Sequence, residues 1–382
     1  MRTLVLIART LVCLLVLAPL AACARPDEPL PFGARSQDCA TCHVDQAEAF
    51  SGSAHARSDA SPVLAALIPR ATARWGAAAG NFCARCHTPS HAAMTGDPDA
   101  EVTITCVTCH AAIGNRGERD GLLLVDPSAP LGGPFDDPEP TPAHASRAAP
   151  LVSSSSLCGT CHEVTGPSVF VEATLSEHRV SVSDPSDPSC ASCHLPRLED
   201  GPIALGAEAS RQRRDHRFVG IDPPWGASAE QRTDAARESA ALVARALALE
   251  LTVGDGEALV RVTNVGARHA VPTGVSFLRD VWIDVELVAA DGASEHLPRV
   301  ITLGDQPMRA GEPVALITDA DAVERHRLDA GQSAEVRVEV PPGAHVIATL
   351  RARAFRADVL DALELGSRAD EVPVLEVARL EE

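Results

Sequence analysis

Ten of the twelve cysteines fall into one repeated five-residue word, Cys-x-x-Cys-His. It occurs as Cys39-Ala-Thr-Cys42-His43, Cys83-Ala-Arg-Cys86-His87, Cys106-Val-Thr-Cys109-His110, Cys158-Gly-Thr-Cys161-His162 and Cys190-Ala-Ser-Cys193-His194. Two thiols spaced by two residues, with an imidazole directly after the second, suit the attachment of a c-type haem. The thiols add to the two vinyl groups, and the histidine is held under the iron as proximal ligand. A lone copy would also suit half a zinc site or a redox dithiol. Zinc does not require a histidine after every second cysteine, and a redox dithiol does not recur five times. The words therefore predict five covalently bound haems c, with His43, His87, His110, His162 and His194 as proximal ligands.

A six-coordinate haem needs a ligand on its other face. Of the 14 histidines, nine lie outside the words: His55, His91, His144, His178, His216, His269, His296, His326 and His345. The first five precede residue 221 and match the haem words one for one, which predicts bis-histidine ligation throughout. Methionine, the usual alternative, raises the potential, but only Met94 and Met308 remain after Met1. On a helix His91 lies on the same side as His87, four residues earlier. As a ligand it would cap a neighbouring haem; otherwise it is a loop histidine beside Pro89.

The elements that must carry these residues fall into five stretches. Residues 1–22 read as a signal peptide: Arg2 and Arg9 precede an apolar run, residues 10–20, too short to cross a bilayer as a helix. Leu20-Ala21-Ala22-Cys23 resembles a bacterial lipoprotein box, which implies lipidation at Cys23 and membrane anchoring. The alternative is cleavage after Ala24, releasing a soluble periplasmic protein. Residues 23–36 form a tether. Residues 37–220 form the pentahaem domain, rich in Pro, Gly, Ser and Asp, in which the haems supply most of the apolar interior. Residues 221–248 are a linker and connecting helix, opened by Ser228 as N-cap with Gln231 three residues on. In residues 249–382 the period changes to two. Val281, Ile283, Val285 and Leu287 alternate with Asp280, Trp282, Asp284 and Glu286, the mark of half-buried strands in a small β-sandwich. The fold class is thus an α and irregular multihaem domain followed by a small all-β sandwich-like domain.

Phe50-Ser51-Gly52-Ser53-Ala54-His55 after the first word resembles the opening of multihaem cytochromes of the nitrifier tetrahaem type. So do Leu157-Cys158-Gly159, Thr174-Leu175-Ser176-Glu177-His178 and Cys190 to Pro196. That superfamily includes pentahaem nitrite reductases and octahaem hydroxylamine oxidoreductases. The resemblance covers residues 37 to about 220 and implies a mainly helical and irregular fold around closely stacked haems. It departs at His178, where the family pattern has tryptophan. Residues 264–274, Asn264 to Gly274, are similar to a loop in β-domains appended to other multihaem cytochromes. His269 there reads as a structural residue joining two strands, with reach back to a haem as the alternative.

Three functions fit. The first is a cytochrome relaying electrons in the periplasm or at the outer membrane. The second is an oxidoreductase with one open-coordinate haem acting on a small nitrogen or sulfur compound, with His144 or His178 as acid or base. The third is a docking or assembly component using an edge of the β domain. The relatives that reduce nitrite or oxidise hydroxylamine typically use a lysine-ligated haem or a tyrosine. This chain has neither residue: its 33 Lys+Arg are all arginine, and Tyr is 0. Absent those residues, the relay is the primary reading and a catalytic residue is not assigned. The net charge of −19 argues against a nucleic-acid partner and favours redox partners with a basic docking face.

Overall fold

The computed structural model describes residues 36–89, 103–126, 128–139, 141–182 and 188–382. The leader, Cys23 and His91 lie outside the described residues. No helix among the described residues is long and apolar enough to cross a membrane.

The N-terminal half is a set of short helices and two-stranded ribbons. Helices Ser36–Ala40, Val44–Ser51, Pro62–Trp75, Ala78–His87, Cys106–His110, Ser155–Gly159, Thr174–Ser181 and Cys190–His194 are joined by irregular chain. Few bury a conventional apolar face; Thr174–Ser181, for instance, buries only Leu175 and His178. Helices this short do not stand alone in water. What they share is a large common cavity, described below.

Ser228 caps the long helix Ala229–Ala246: its Oγ accepts from Gln231 N (3.2 Å) while its own N–H donates to Gln231 Oε1 (3.0 Å). The helix runs without a break into the first strand of the sandwich. Its seven main strands are β1 (Leu247–Gly254), β2 (Glu257–Asn264), β3 (Asp280–Val288), β4 (Ser294–Leu303), β5 (Ser333–Glu339), β6 (His345–Arg353) and β7 (Leu375–Glu381). One sheet has the order β4-β3-β6-β7 and the other β5-β2-β1, all pairs antiparallel. Leu251, Val260 and Val262 from one sheet meet Ile283, Val285, Val346 and Leu350 from the other in a single core.

Strand β3 departs from the half-buried expectation. Asp280, Trp282 and Asp284 are buried as well as their apolar alternates. Arginines cover that second face. Arg299 and Arg353 bond Asp280, Arg351 bonds Asp284, and the Arg299 guanidinium lies 4.5 Å from the Trp282 ring centre. Alternation in the sequence shows which side chains are polar; it does not show that other side chains will cap them.

The two halves share a second apolar core. Val63 on helix Pro62–Trp75 packs with Trp225, Phe277, Leu316, Phe355 and Leu360. Buried apolar contact of this kind stabilises by about 25 cal/mol per Å² removed from water, so the sandwich is bonded to the helical half rather than hung from it.

Candidate haem-binding core

Each attachment word is a turn of helix, or completes one. Cys106–His110 and Cys190–His194 are helices in their own right, and Cys83 to His87 end the helix Ala78–His87. In the other two words the histidine N–H bonds back to the first cysteine carbonyl, His43 to Cys39 and His162 to Cys158, both at 2.9 Å. Positions i, i+3 and i+4 of a helical turn lie on one side. In the four words from Cys83 onward, whose cysteines are all free, the local fold therefore presents two thiols and an imidazole to the same space; in the first word Cys42 is disulfide-bonded.

All five words open onto one cavity of about 3210 Å³. Ordinary small-molecule pockets are roughly 300–1,000 Å³, so this space suits several large groups. Neighbouring words lie close enough to influence one another: Cys161 raises the pKa of the Cys86 thiol, and Cys190 that of Cys158.

Across the cavity, histidines from elsewhere face the motif histidines in pairs. Ring centres are 6.2 Å apart for His43 and His144, 6.1 Å for His162 and His55, 6.5 Å for His110 and His216, and 6.3 Å for His194 and His269. A metal–imidazole bond is about 2.0–2.1 Å and the ring centre lies roughly 1.1 Å behind the nitrogen, so two rings sharing one metal stand roughly 6.3 Å apart. The observed separations match the spacing that one shared metal requires.

The hydrogen bonds fix which nitrogen is free. Nδ1 of His43, His110 and His194 bonds the carbonyls of Ile203, Gly132 and Val219 at 2.8, 2.7 and 2.6 Å. Nδ1 of His162 bonds the Glu172 carboxylate at 3.0 Å. Among the opposing rings, Nδ1 of His216 and His269 bonds the carbonyls of Arg214 and Ala270 at 2.9 and 2.8 Å. Nδ1 of His144 makes a longer contact, 3.3 Å, with the Ala145 carbonyl. An Nδ1–H held this way leaves the Nε2 lone pair for a metal. Burial also holds His55 and His269 in the neutral, ligating form, lowering them to about 3 and about 4. Burial opposes the charge on His162 too, but Glu172 outweighs it and raises that group to about 9. On volume, spacing, tautomer and thiol placement the residues present fit haem c.

The described distal candidates divide two ways. His55, His144 and His216 stand opposite motif histidines. His178 does not: it is buried on helix Thr174–Ser181 with Nε2 3.1 Å from the Pro188 carbonyl. The position opposite His194 is filled by His269, the residue read as a strand-joining loop histidine. The β half delivers it. Asn264 donates to the carbonyls of His269 and Leu328, and Glu177 accepts from Ala270 N and Thr273 Oγ1. Among the described residues no imidazole pairs with His87.

Two further residues carried no signal in the sequence analysis. Glu172 is one. The other is Phe218, whose ring lies 4.7 Å from His55 and 6.1 Å from His216. Its φ is +50°, a costly conformation for a bulky side chain, so the surrounding packing dictates its place beside His55 and His216.

No family model matches the chain, and no curated protein matches it. Its fold, a helical half joined to a β-sandwich, has a counterpart among solved structures. The chain is similar to the crystal structure of a penta-haem cytochrome c552 from Thermochromatium tepidum, with 19% identity and a TM-score of 0.71. The match covers 93% of this chain and 100% of that one. At that identity the likeness is one of fold.

Proposed function

We propose that this chain is a pentahaem c-type cytochrome that relays electrons outside the cytoplasm. The cysteine pairs Cys39/Cys42, Cys83/Cys86, Cys106/Cys109, Cys158/Cys161 and Cys190/Cys193 would hold the haems. Four irons would be closed by the pairs His43–His144, His162–His55, His110–His216 and His194–His269. This changes the expected distal set in one place, with His269 taking the role assigned to His178. The observation that carries the reading is the recurrence of one ring separation, 6.1–6.5 Å, in four pairs drawn from distant parts of the chain.

Bound haem supplies one-electron chemistry at iron, tuned by its axial ligands and surroundings. The chain's own residues orient the imidazoles through Nδ1 and gather the attachment words around one cavity. The acidic surface favours a redox partner with a basic docking face. Lipidation at Cys23 would place the relay at a membrane.

The second reading, an oxidoreductase with one open haem, turns on the haem that Cys83 and Cys86 would hold. Carbon monoxide separates the two. A relay with every iron closed ignores the gas after reduction. Stoichiometric binding at one haem, lost when Cys83 and Cys86 are replaced, would establish the open-haem enzyme instead.

A further inference from the structure

The proximal histidines do not all have the same kind of Nδ1 partner. His43, His110 and His194 use neutral backbone carbonyls. His162 uses the carboxylate of Glu172, 3.0 Å away. The chain builds this contact deliberately close in sequence. Val164–Thr165 and Val171–Glu172 form a short antiparallel ribbon with Val164 opposite Glu172, which turns the carboxylate back to the attachment word. Glu172 is buried, 9% exposed. Gly274 backs it from the β half: at its φ of +67° a Cβ would stand 3.1 Å from the carboxylate oxygen.

The same ring pair is unusual in two other ways. His55 is turned 75° to His162, whereas the other three pairs lie within 28°, 19° and 20° of parallel. Nδ1 of His55 is buried with no hydrogen-bond partner among the described residues. The imidazole electron supply on this site therefore comes chiefly through His162.

A charged acceptor draws the Nδ1 proton more strongly than a carbonyl does and makes the ligand more basic at Nε2. A more basic ligand favours the ferric over the ferrous iron. We propose that Glu172 sets the potential of the haem held by His162, keeping it lower than a carbonyl acceptor would. Glu172 acts through His162 and is a positioning residue. The inference rests on the His162–His55 pairing proposed above.

The crossed rings make this haem separately visible. Crossed axial imidazoles give a highly anisotropic low-spin electron paramagnetic resonance signal with a very large principal g value, whereas near-parallel rings give rhombic signals. The haem-loaded full chain and its Glu172→Gln variant are titrated potentiometrically with that signal as the readout. Glutamine keeps an acceptor oxygen and removes the charge. The expected result is a rise in the midpoint of the anisotropic signal with the rhombic signals unmoved. An intact signal with an unmoved midpoint overturns the role of Glu172 alone. Absence of the signal from the wild type overturns the His162–His55 pairing and the inference with it. Should Glu172→Gln not load haem, near-infrared magnetic circular dichroism of the wild type decides. One low-spin haem with its charge-transfer band at higher energy than the rest supports the proposal, and a common band position for all overturns it.

Discussion

His194 and His269 face each other 6.3 Å apart and within 20° of parallel, one from an attachment word and one from the β half. Glu177, on a helix of the haem half, clamps the loop that carries His269 by accepting from Ala270 N and Thr273 Oγ1 and pairing with Arg327. The β half therefore lines the cavity onto which the attachment words open. His269→Ala should open one iron, producing a high-spin optical band and a carbon monoxide response of one haem. His178→Ala should leave the spin state unchanged, because that ring bonds a backbone carbonyl. The opposite pattern, with His178→Ala opening an iron, would restore the sequence-based ligand set.

Acid should weaken the β half through Asp280. Burial alone would raise its pKa, but Arg299 and Arg353 outweigh burial and hold it below the usual carboxylate value. A depressed folded pKa means stabilisation that is complete above the unfolded value, about 3.9. It is lost as pH falls through the folded value. Asp280→Asn should cost about 3 kcal/mol at neutral pH, since it leaves the Arg353 charge without its partner. The variant should also lose less stability than the wild type on acidification. Thermal unfolding of both proteins from about pH 6 to about pH 2 checks this; parallel curves would show that Asp280 is not the responsible group.

The lipoprotein box makes a separate prediction. Cys23→Ser should move the protein from the membrane fraction to the soluble periplasm. A wild-type protein already soluble and beginning at Arg25 would establish ordinary cleavage.

The five Cys-x-x-Cys-His words are legible in the sequence because their spacing is local, and each folds as a helical turn. Cys106, Cys109 and His110 must share one helical turn, and the chain writes that turn contiguously. The facing histidines obey no local rule. His144 and His216, which stand opposite motif histidines, were named by counting what remained before residue 221; the same count named His178, which stands elsewhere, and not His269. Nothing in the spacing shows that Asn264 and Glu177 will deliver a β-half loop to the cavity. The strand period of β3 was readable, yet the cover over Asp280 and Trp282 was not, because Arg299 and Arg353 arrive from other strands. Glu172 was silent for a related reason: its role depends on a two-residue ribbon that has no period to detect.

The central claim is that four irons lie between named pairs of imidazoles. Diffraction from crystals of the haem-loaded protein, collected across the iron absorption edge, locates the irons independently of any ligand assignment. The account predicts five anomalous peaks, four of them between His43 and His144, His162 and His55, His110 and His216, and His194 and His269. Fewer than five peaks, or a peak over His194 capped by His178 in place of His269, would contradict it.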